Sequence, residues 1–199
     1  VTNIDFSNLI IKQGFAREGA GIYCENSDFE MVNMKIQYNA SYGNHAKGGG
    51  LYCINSTGVI ANSIISGNTA ESEVWNIARG AGIYCSDNSD LTLLNVTLAN
   101  NIILSNGAEG DGIYCTGETD MTIINSIVWG NDLQQIVLGN ESNSLLIAYT
   151  DIEGGEDGIE SNNYNTIHYF EGNINTIPFF TDSAHSDYSL LGSSSCIDA

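Results

Sequence analysis

Four cysteines end the same short motif in this 199-residue chain, and they are the first candidates for chemistry. Each closes a hexapeptide of the form Gly-x-Gly-(Ile/Leu)-Tyr-Cys. The four are Cys24, Cys53, Cys85 and Cys115. No Cys-x-x-Cys pair is present, so the spacing does not suit a zinc site. In-register thiols on neighbouring parallel strands rarely reach the torsion that a disulfide needs. We therefore predict that these thiols behave as small buried hydrophobic groups. Cys196 stands apart from them near the end of the chain.

The tyrosine before each cysteine is a candidate binding group. Strand alternation sends the tyrosine and its neighbours to opposite faces, so an inward cysteine implies an outward ring. The sequence predicts an exposed ladder that binds sugar rings or a partner protein through its flat aromatic surface. The alternative is that the neighbouring loops fold over the rings. The four residues are Tyr23, Tyr52, Tyr84 and Tyr114.

One acidic cluster could bind a cation, because carboxylate oxygens in a glycine-rich loop suit Ca²⁺. Its members are Asp151, Glu153, Glu156, Asp157 and Glu160. Their spacing does not match an EF-hand loop, and a solvated acidic turn explains them equally well. We expect no cofactor and no metal, with Ca²⁺ as the alternative.

Catalysis on polysaccharides is the enzyme class to weigh. A lyase needs a basic residue beside a carboxylate-bound cation, and Arg17, Lys47 and Arg79 precede the glycine anchors at one corner, with Glu109 in the next repeat. No acidic cluster accompanies them. A hydrolase needs carboxylates that face each other. The candidates are Asp87 with Asp90 and Glu118 with Asp120. Acidic residues are ordinary at such turn positions, so the chain is predicted not to be an enzyme, and a lyase or hydrolase is the less favoured alternative.

The charge balance limits the partners. Five Lys and Arg face 24 Asp and Glu, which gives a formal net charge of −19. Binding to nucleic acid needs clustered cations, so it is excluded, and a polyanionic substrate would be repelled. No apolar run approaches the ~20 residues of a membrane span. No basic and apolar leader opens the chain, so we expect any export signal to lie outside it.

Internal repeats organise the sequence. Equivalent aliphatic residues of the motif recur at spacings of 29, 32, 30, 23 and 23 residues. They are Ile22, Leu51, Ile83, Ile113, Ile136 and Ile159. Between them lies an Asn followed by alternating apolar residues. These asparagines are Asn8, Asn33, Asn62, Asn95 and Asn125. Two or three short strands per 23 to 32 residues, with Gly and Asn corners, are typical of a parallel β-helix.

The longer repeats carry their extra residues at one place. The insertions fall near Ala40–Lys47, Thr69–Arg79 and Ile102–Glu109. Insertions at one corner map to one side of a solenoid. The sequence thus predicts an all-β parallel β-helix of about seven to eight coils, with Ile22, Leu51, Ile83 and Ile113 in its core beside the cysteines. Stacked strands lie about 4.8 Å apart, which makes a rod roughly 35 Å long.

The hexapeptides and the Asn-x-Ile strands resemble bacterial secreted and cell-surface right-handed parallel β-helix proteins, including the repeats of chlamydial polymorphic outer-membrane proteins. The tail is similar to the C-terminal end of large secreted β-helix proteins, and Ser195-Cys-Ile-Asp-Ala199 is its last segment. The resemblance implies a right-handed coil over residues 1–170 and a closing or capping segment over 171–199.

The expected function is therefore a non-catalytic structural or adhesive role outside the cell or at its surface, as a rigid stalk or filament subunit. The expected partners are a second copy stacked end to end, another surface protein, or glycans. Because the β-helix fold supports many functions, the alternative is carbohydrate binding through the tyrosine ladder.

Overall fold

The computed structural model describes residues 3–73, 77–105 and 107–197, and within them the chain is an all-β parallel solenoid with almost no helix. Two short 3₁₀ segments are its helical parts, Gly155–Gly158 and Ser183–His185. Short strands alternate with corners of Gly, Asn and Ser, so each strand ends after two to five residues.

The strands follow one another around the solenoid. The first turn contains β1 (Asn3–Ser7), β2 (Ile10–Lys12), β3 (Phe15–Ala16) and β4 (Ile22–Glu25). The second contains β5 (Asp28–Val32), β6 (Lys35–Gln37), β7 (Ala40–Tyr42) and β8 (Leu51–Ile54). The third contains β9 (Thr57–Ala61), β10 (Ile64–Ser66), β11 (Thr69–Glu71), β12 (Ile77–Arg79) and β13 (Ile83–Ser86). The fourth contains β14 (Asp90–Leu94), β15 (Thr97–Ala99), β16 (Ile102–Leu104), β17 (Gly107–Glu109) and β18 (Ile113–Cys115).

The later part of the chain has fewer strands per turn. These strands are β19 (Asp120–Ile124), β20 (Ile127–Trp129), β21 (Ile136–Leu138), β22 (Ser144–Ala148), β23 (Asp151–Ile152), β24 (Ile159–Glu160) and β25 (Thr166–Tyr169). The tail adds β26 (Phe180–Asp182) and β27 (Asp187–Leu190).

Equivalent strands stack into parallel sheets. Sheet A is β1-β5-β9-β14-β19-β22-β25, sheet B is β2-β6-β10-β15-β20-β23, sheet C is β3-β7-β11-β16, and sheet D is β4-β8-β13-β18-β21-β24. Four turns supply a strand to every one of these sheets. Strands β12 and β17 form a separate parallel pair, and β26 with β27 form an antiparallel hairpin.

The core follows the alternation of side chains in sheet D. The register pairs Cys24 with Cys53, Cys53 with Cys85, and Cys85 with Cys115, and all four thiols are free and buried. The aliphatic column beside them is equally continuous. It runs through Ile22, Leu51, Ile83, Ile113, Ile136 and Ile159. Leu51, Ile83 and Ile113 are fully buried, whereas Ile22, in the first turn, is partly exposed.

A column of buried asparagines closes the corner between sheets B and C. Asn39, Asn68, Asn101 and Asn131 have no exposed surface. Each Nδ2 donates to the side-chain oxygen of the next turn at 2.9–3.0 Å, and the column ends on Gln135 Oε1 at 2.8 Å. Because the same amides also bond backbone groups, the polar corner is satisfied inside the protein.

A second asparagine column stands on the surface between sheets A and B. Asn8, Asn33, Asn62, Asn95 and Asn125 all have φ between 51° and 58°. Asparagine tolerates this left-handed conformation better than most residues do, so the repeated Asn marks where the chain must turn sharply.

The insertions form one lobe, as their common position predicts. Sheet C and the β12–β17 pair are built from them, and small side chains fill the space between. That filling is Ala46, Ala70, Ala78, Ala81 and Ile103.

The C-terminal tail first continues the solenoid and then lies along its side. Ile174 forms a parallel bridge with Asp151. The β26–β27 hairpin then contacts earlier turns, because Asn100 Nδ2 donates to Tyr188 Oη at 3.0 Å and the Tyr38 hydroxyl bonds Ser186 Oγ. The hairpin thus reaches back from the sixth turn to the second. The boundary at residue 171 and the capping role remain predictions.

Candidate functional site

The tyrosine row on sheet D is continuous but mostly covered. Tyr23, Tyr52, Tyr84 and Tyr114 are in register, with ring centroids 4.9–5.5 Å apart. Tyr23 is 46% exposed, whereas Tyr52, Tyr84 and Tyr114 are 4–6% exposed. The prediction of an exposed ladder is therefore wrong for three of the four rings.

Two cations and the neighbouring rings cover the row. Lys47 Nζ lies 5.7 Å from the Tyr52 ring centroid and 5.1 Å from that of Tyr84, and the Arg79 guanidinium lies 5.2 Å from that of Tyr114. The long aliphatic stems of Lys and Arg cover apolar surface while the charge stays near water. Burial is the main cause that raises the pKa of Tyr84. The row is thus a packed layer, and its open part is Tyr23.

The basic corner is an ion-paired column. Lys47 bridges to Glu18 on one side and Arg79 on the other, and Arg79 pairs in register with Glu109. Lys47 Nζ lies 3.8 Å from Glu18 Oε1, and Arg79 Nε lies 2.5 Å from Glu109 Oε2. Glu18, rather than the predicted Arg17, occupies the first place. Both cations are held by carboxylates and tyrosine rings, which is a structural arrangement.

The predicted calcium residues are separated. Asp151 is buried, and its Oδ1 accepts from Thr176 N at 3.0 Å. Glu153 Oε2 accepts from Gly130 N at 2.7 Å, and Glu160 accepts from Gln134. Glu156 and Asp157 are exposed on the 3₁₀ turn. Across residues 3–73, 77–105 and 107–197, no group of three or more acidic, His or Cys side chains is arranged to hold a metal.

The predicted hydrolase carboxylates are brought together only in part. Asp90 and Asp120 are in register on sheet A, while Asp87 and Glu118 stand at left-handed corners with φ of 55° and 62°. Burial and then the charge of Asp120 raise the pKa of Asp90. Both members of the pair lie side by side on one exposed face instead of facing each other across a cleft.

Asp111 is a buried carboxyl that the sequence analysis did not single out. It replaces the small residue between the two glycines of the hexapeptide, and that substitution was its visible signal. Its Oδ1 accepts from Ile103 N at 2.7 Å, while Oδ2 has no hydrogen-bond partner. Sheet C ends at β16, so Asp111 satisfies an N–H that a further strand would have bonded.

We expect Asp111 to make the protein more stable in mild acid than at neutral pH. Burial raises the pKa of Asp111 above its ordinary 3.8. A carboxyl with a raised pKa binds more protons in the folded state, so its stabilisation is complete below 3.8 and is lost as pH rises through the raised value. Urea midpoints measured from about pH 4 to pH 7.5 should fall more steeply in the wild type than in Asp111→Asn, which keeps the acceptor for Ile103 N. Equal slopes would contradict this assignment.

The thiols give a second test of the core. Hydrogen bonding with Cys85 and burial raise the pKa of Cys115 well above its ordinary value, whereas a hydrogen bond from Cys53 lowers that of Cys24. Because the thiolate is the reactive form, native protein at about pH 8 should react with Ellman's reagent first at Cys24, the open end of the column. Cys85 and Cys115 should react only on unfolding. Mass spectrometry of partly labelled protein checks this, and modification of Cys85 as fast as Cys24 would contradict it.

The first turn leaves backbone groups unpaired. In sheet B the first residue of each later strand donates its N–H to the preceding turn at 2.9 Å. These donors are Lys35, Ile64, Thr97, Ile127 and Asp151. Ile10 holds the same place in the first turn, and within the described residues β2 pairs with β6 alone. Exposed apolar side chains accompany this edge, with Ile10 62% and Phe15 74% exposed. The open edge can accept another strand.

Charge is distributed unevenly along the axis. All five Lys and Arg lie within residues 1–79, whereas residues 80–199 contain 17 of the 24 acidic residues and no Lys or Arg. The two ends of the solenoid therefore differ strongly in charge. No helix among the described residues has the length and apolar character required to cross a membrane.

Comparison of the chain with protein-family models, with curated proteins and with solved structures finds no match.

Proposed function

We propose that this chain is a non-catalytic structural or adhesive β-solenoid, secreted or displayed at the cell surface, where it acts as a rigid stalk or filament subunit. In this proposal it is a right-handed coil of seven to eight turns, as the resemblance implies. Its partners are a second copy stacked end to end, or another surface protein. The function needs no cofactor.

The unpaired N–H of Ile10 is the observation that carries the proposal. Five later turns use the equivalent N–H to bond the turn before, so a preceding strand fits the same edge. At the other end of sheet A, β25 pairs with β22 alone among the described strands. A head-to-tail contact of these two edges is heterologous and does not close, so it produces a filament.

Two further features support this role. The buried amide and thiol columns tie each turn to the next, which stiffens the rod along its axis. The axial charge difference favours head-to-tail over head-to-head contact, because the acidic end of one copy meets the end that holds the cations.

Sedimentation velocity over a range of protein concentrations tests the proposal. Two chains of net charge −19 repel, so association should strengthen as salt screens that repulsion. Ile10→Pro removes the unpaired N–H and should weaken association about tenfold, because proline cannot donate. Exposed Tyr164, replaced by alanine, is the control. A single species of one-chain mass at every concentration and salt level would overturn the filament role.

A further inference from the structure

A groove lies between the tail and the side of the solenoid. Its floor is formed by outward side chains of sheet B, Thr97 and Ile127 among them, and its two walls come from different parts of the chain. One wall is the surface asparagine column and the other is the tail. The cavity measures about 210 Å³, below the ~300 Å³ at which drug-sized pockets begin. It has room for a single small ring.

The asparagine wall ends in an exposed aromatic ring. Tyr149 stands where earlier turns have Asn, with φ of 50° and 58% exposure. One face of its ring packs on Gly172, since a Cβ there would lie 2.5 Å from Tyr149 Cδ1. A bulky side chain in the left-handed conformation is an outlier that indicates a special role. The glycine thus supports one face of the ring and leaves its remaining surface open.

The amides beside this ring have free hydrogen-bonding capacity. Asn125 Nδ2 donates to Asn95 Oδ1 at 2.5 Å, and the substitution by Tyr149 leaves Asn125 Oδ1 without a donor in the next turn. Both amides are exposed and line the groove. An amide offers donors and an acceptor side by side, which suits a pair of neighbouring hydroxyl groups.

The opposite wall is fixed in place. Leu190 and Ile197 line it, and Cys196 Sγ donates to Asp151 Oδ2 at 3.0 Å. The hydrogen bond from Asn100 to Tyr188 anchors the hairpin of the same segment. A groove held at both walls is preformed, so binding does not have to order it.

We propose that this groove binds one residue of a neutral saccharide. The sugar ring stacks on Tyr149, and its hydroxyl groups bond Asn95 and Asn125. Aromatic rings with a polar edge suit a ligand that has one apolar face and a hydrated rim. A strongly negative protein disfavours uronic and sialic acids. This deepens the proposed function, on which it rests, by naming the ligand class of its adhesive surface.

The test is titration of ¹⁵N-labelled protein with the methyl glycosides of glucose, galactose, mannose, N-acetylglucosamine and N-acetylgalactosamine, followed by ¹H–¹⁵N spectra. At least one should shift the Asn125 side-chain amide and the backbone amides around Tyr149. Tyr149→Asn restores the repeat's own residue, so it should fold and weaken binding about tenfold, or ~1.4 kcal/mol. Asn125→Gly should weaken it too, and exposed Tyr42→Ala should not.

Three results would overturn the inference: no shift with any of the five sugars, shifts confined to surfaces away from the groove, or binding that Tyr149→Asn leaves unchanged. Sedimentation of the same samples separates this outcome from the proposed function. Association that persists without sugar binding removes the saccharide site alone, whereas loss of association with intact sugar binding removes the filament role alone.

Discussion

Replacing Asn101 with alanine should lower the free energy of unfolding by about 3–5 kcal/mol. Asn101 Oδ1 accepts from Asn68 N at 3.1 Å and from Asn68 Nδ2 at 3.0 Å, and its own Nδ2 donates to Ile65 O at 3.1 Å. The substitution leaves these three buried groups without their partner. Each unsatisfied group costs about 1–3 kcal/mol, and partial relaxation reduces the total.

Asn95→Gly is the matched control for this prediction. Asn95 also bonds the next asparagine, with Nδ2 3.0 Å from Asn62 Oδ1, but it is exposed and water replaces the lost bond. Glycine keeps the left-handed backbone, so the expected cost is about 0.5 kcal/mol. Urea unfolding of both variants measures the difference. Equal losses would show that burial of the column contributes nothing to stability.

Replacing Gly82 with alanine should cost at least about 3 kcal/mol and is expected to impair folding. A Cβ on Gly82 would lie 2.5 Å from the Gly112 carbonyl oxygen and 3.0 Å from Asn101 Nδ2. The first of these contacts is with backbone, which cannot move aside without shifting the next turn. The second glycine of the hexapeptide is therefore required by the close approach of successive turns.

Gly192→Ala provides the comparison, because nothing lies within 4 Å of the added methyl group. Its stability should match the wild type within about 0.5 kcal/mol. Thermal and urea unfolding of the two alanine variants decide the matter. If Gly82→Ala costs less than about 1 kcal/mol, successive turns are not packed as closely as the structure places them.

The architecture could be predicted because the repeat carries its own register. Ile22 and Cys24 recur in one hexapeptide, so the period, the parallel stacking and the buried face follow from alternation. The shared insertion site likewise follows from unequal spacings. These properties depend on local sequence repeated many times, which is the strongest evidence that a single chain can offer.

The surface could not be predicted in the same way. Burial of Tyr52 and Tyr84 depends on where Lys47 reaches across turns, and loops of unequal length decide that. The tail groove depends on contacts such as Asn100 with Tyr188, 88 residues apart, which no local pattern specifies. The exception was visible: Tyr149 breaks the surface asparagine column, and such a departure from a repeat indicates a special position.

In-register stacking of the thiol column is the central claim, and solid-state NMR measures it without any substitution. Protein labelled with ¹³C at cysteine Cβ alone contains five labels, four of which stand in one column. Homonuclear dipolar recoupling should give a nearest-neighbour distance of about 5 Å for most of the label, as expected for adjacent strands. Cysteine Cβ atoms that show no coupling, and so lie beyond about twice that inter-strand spacing, would contradict the parallel solenoid.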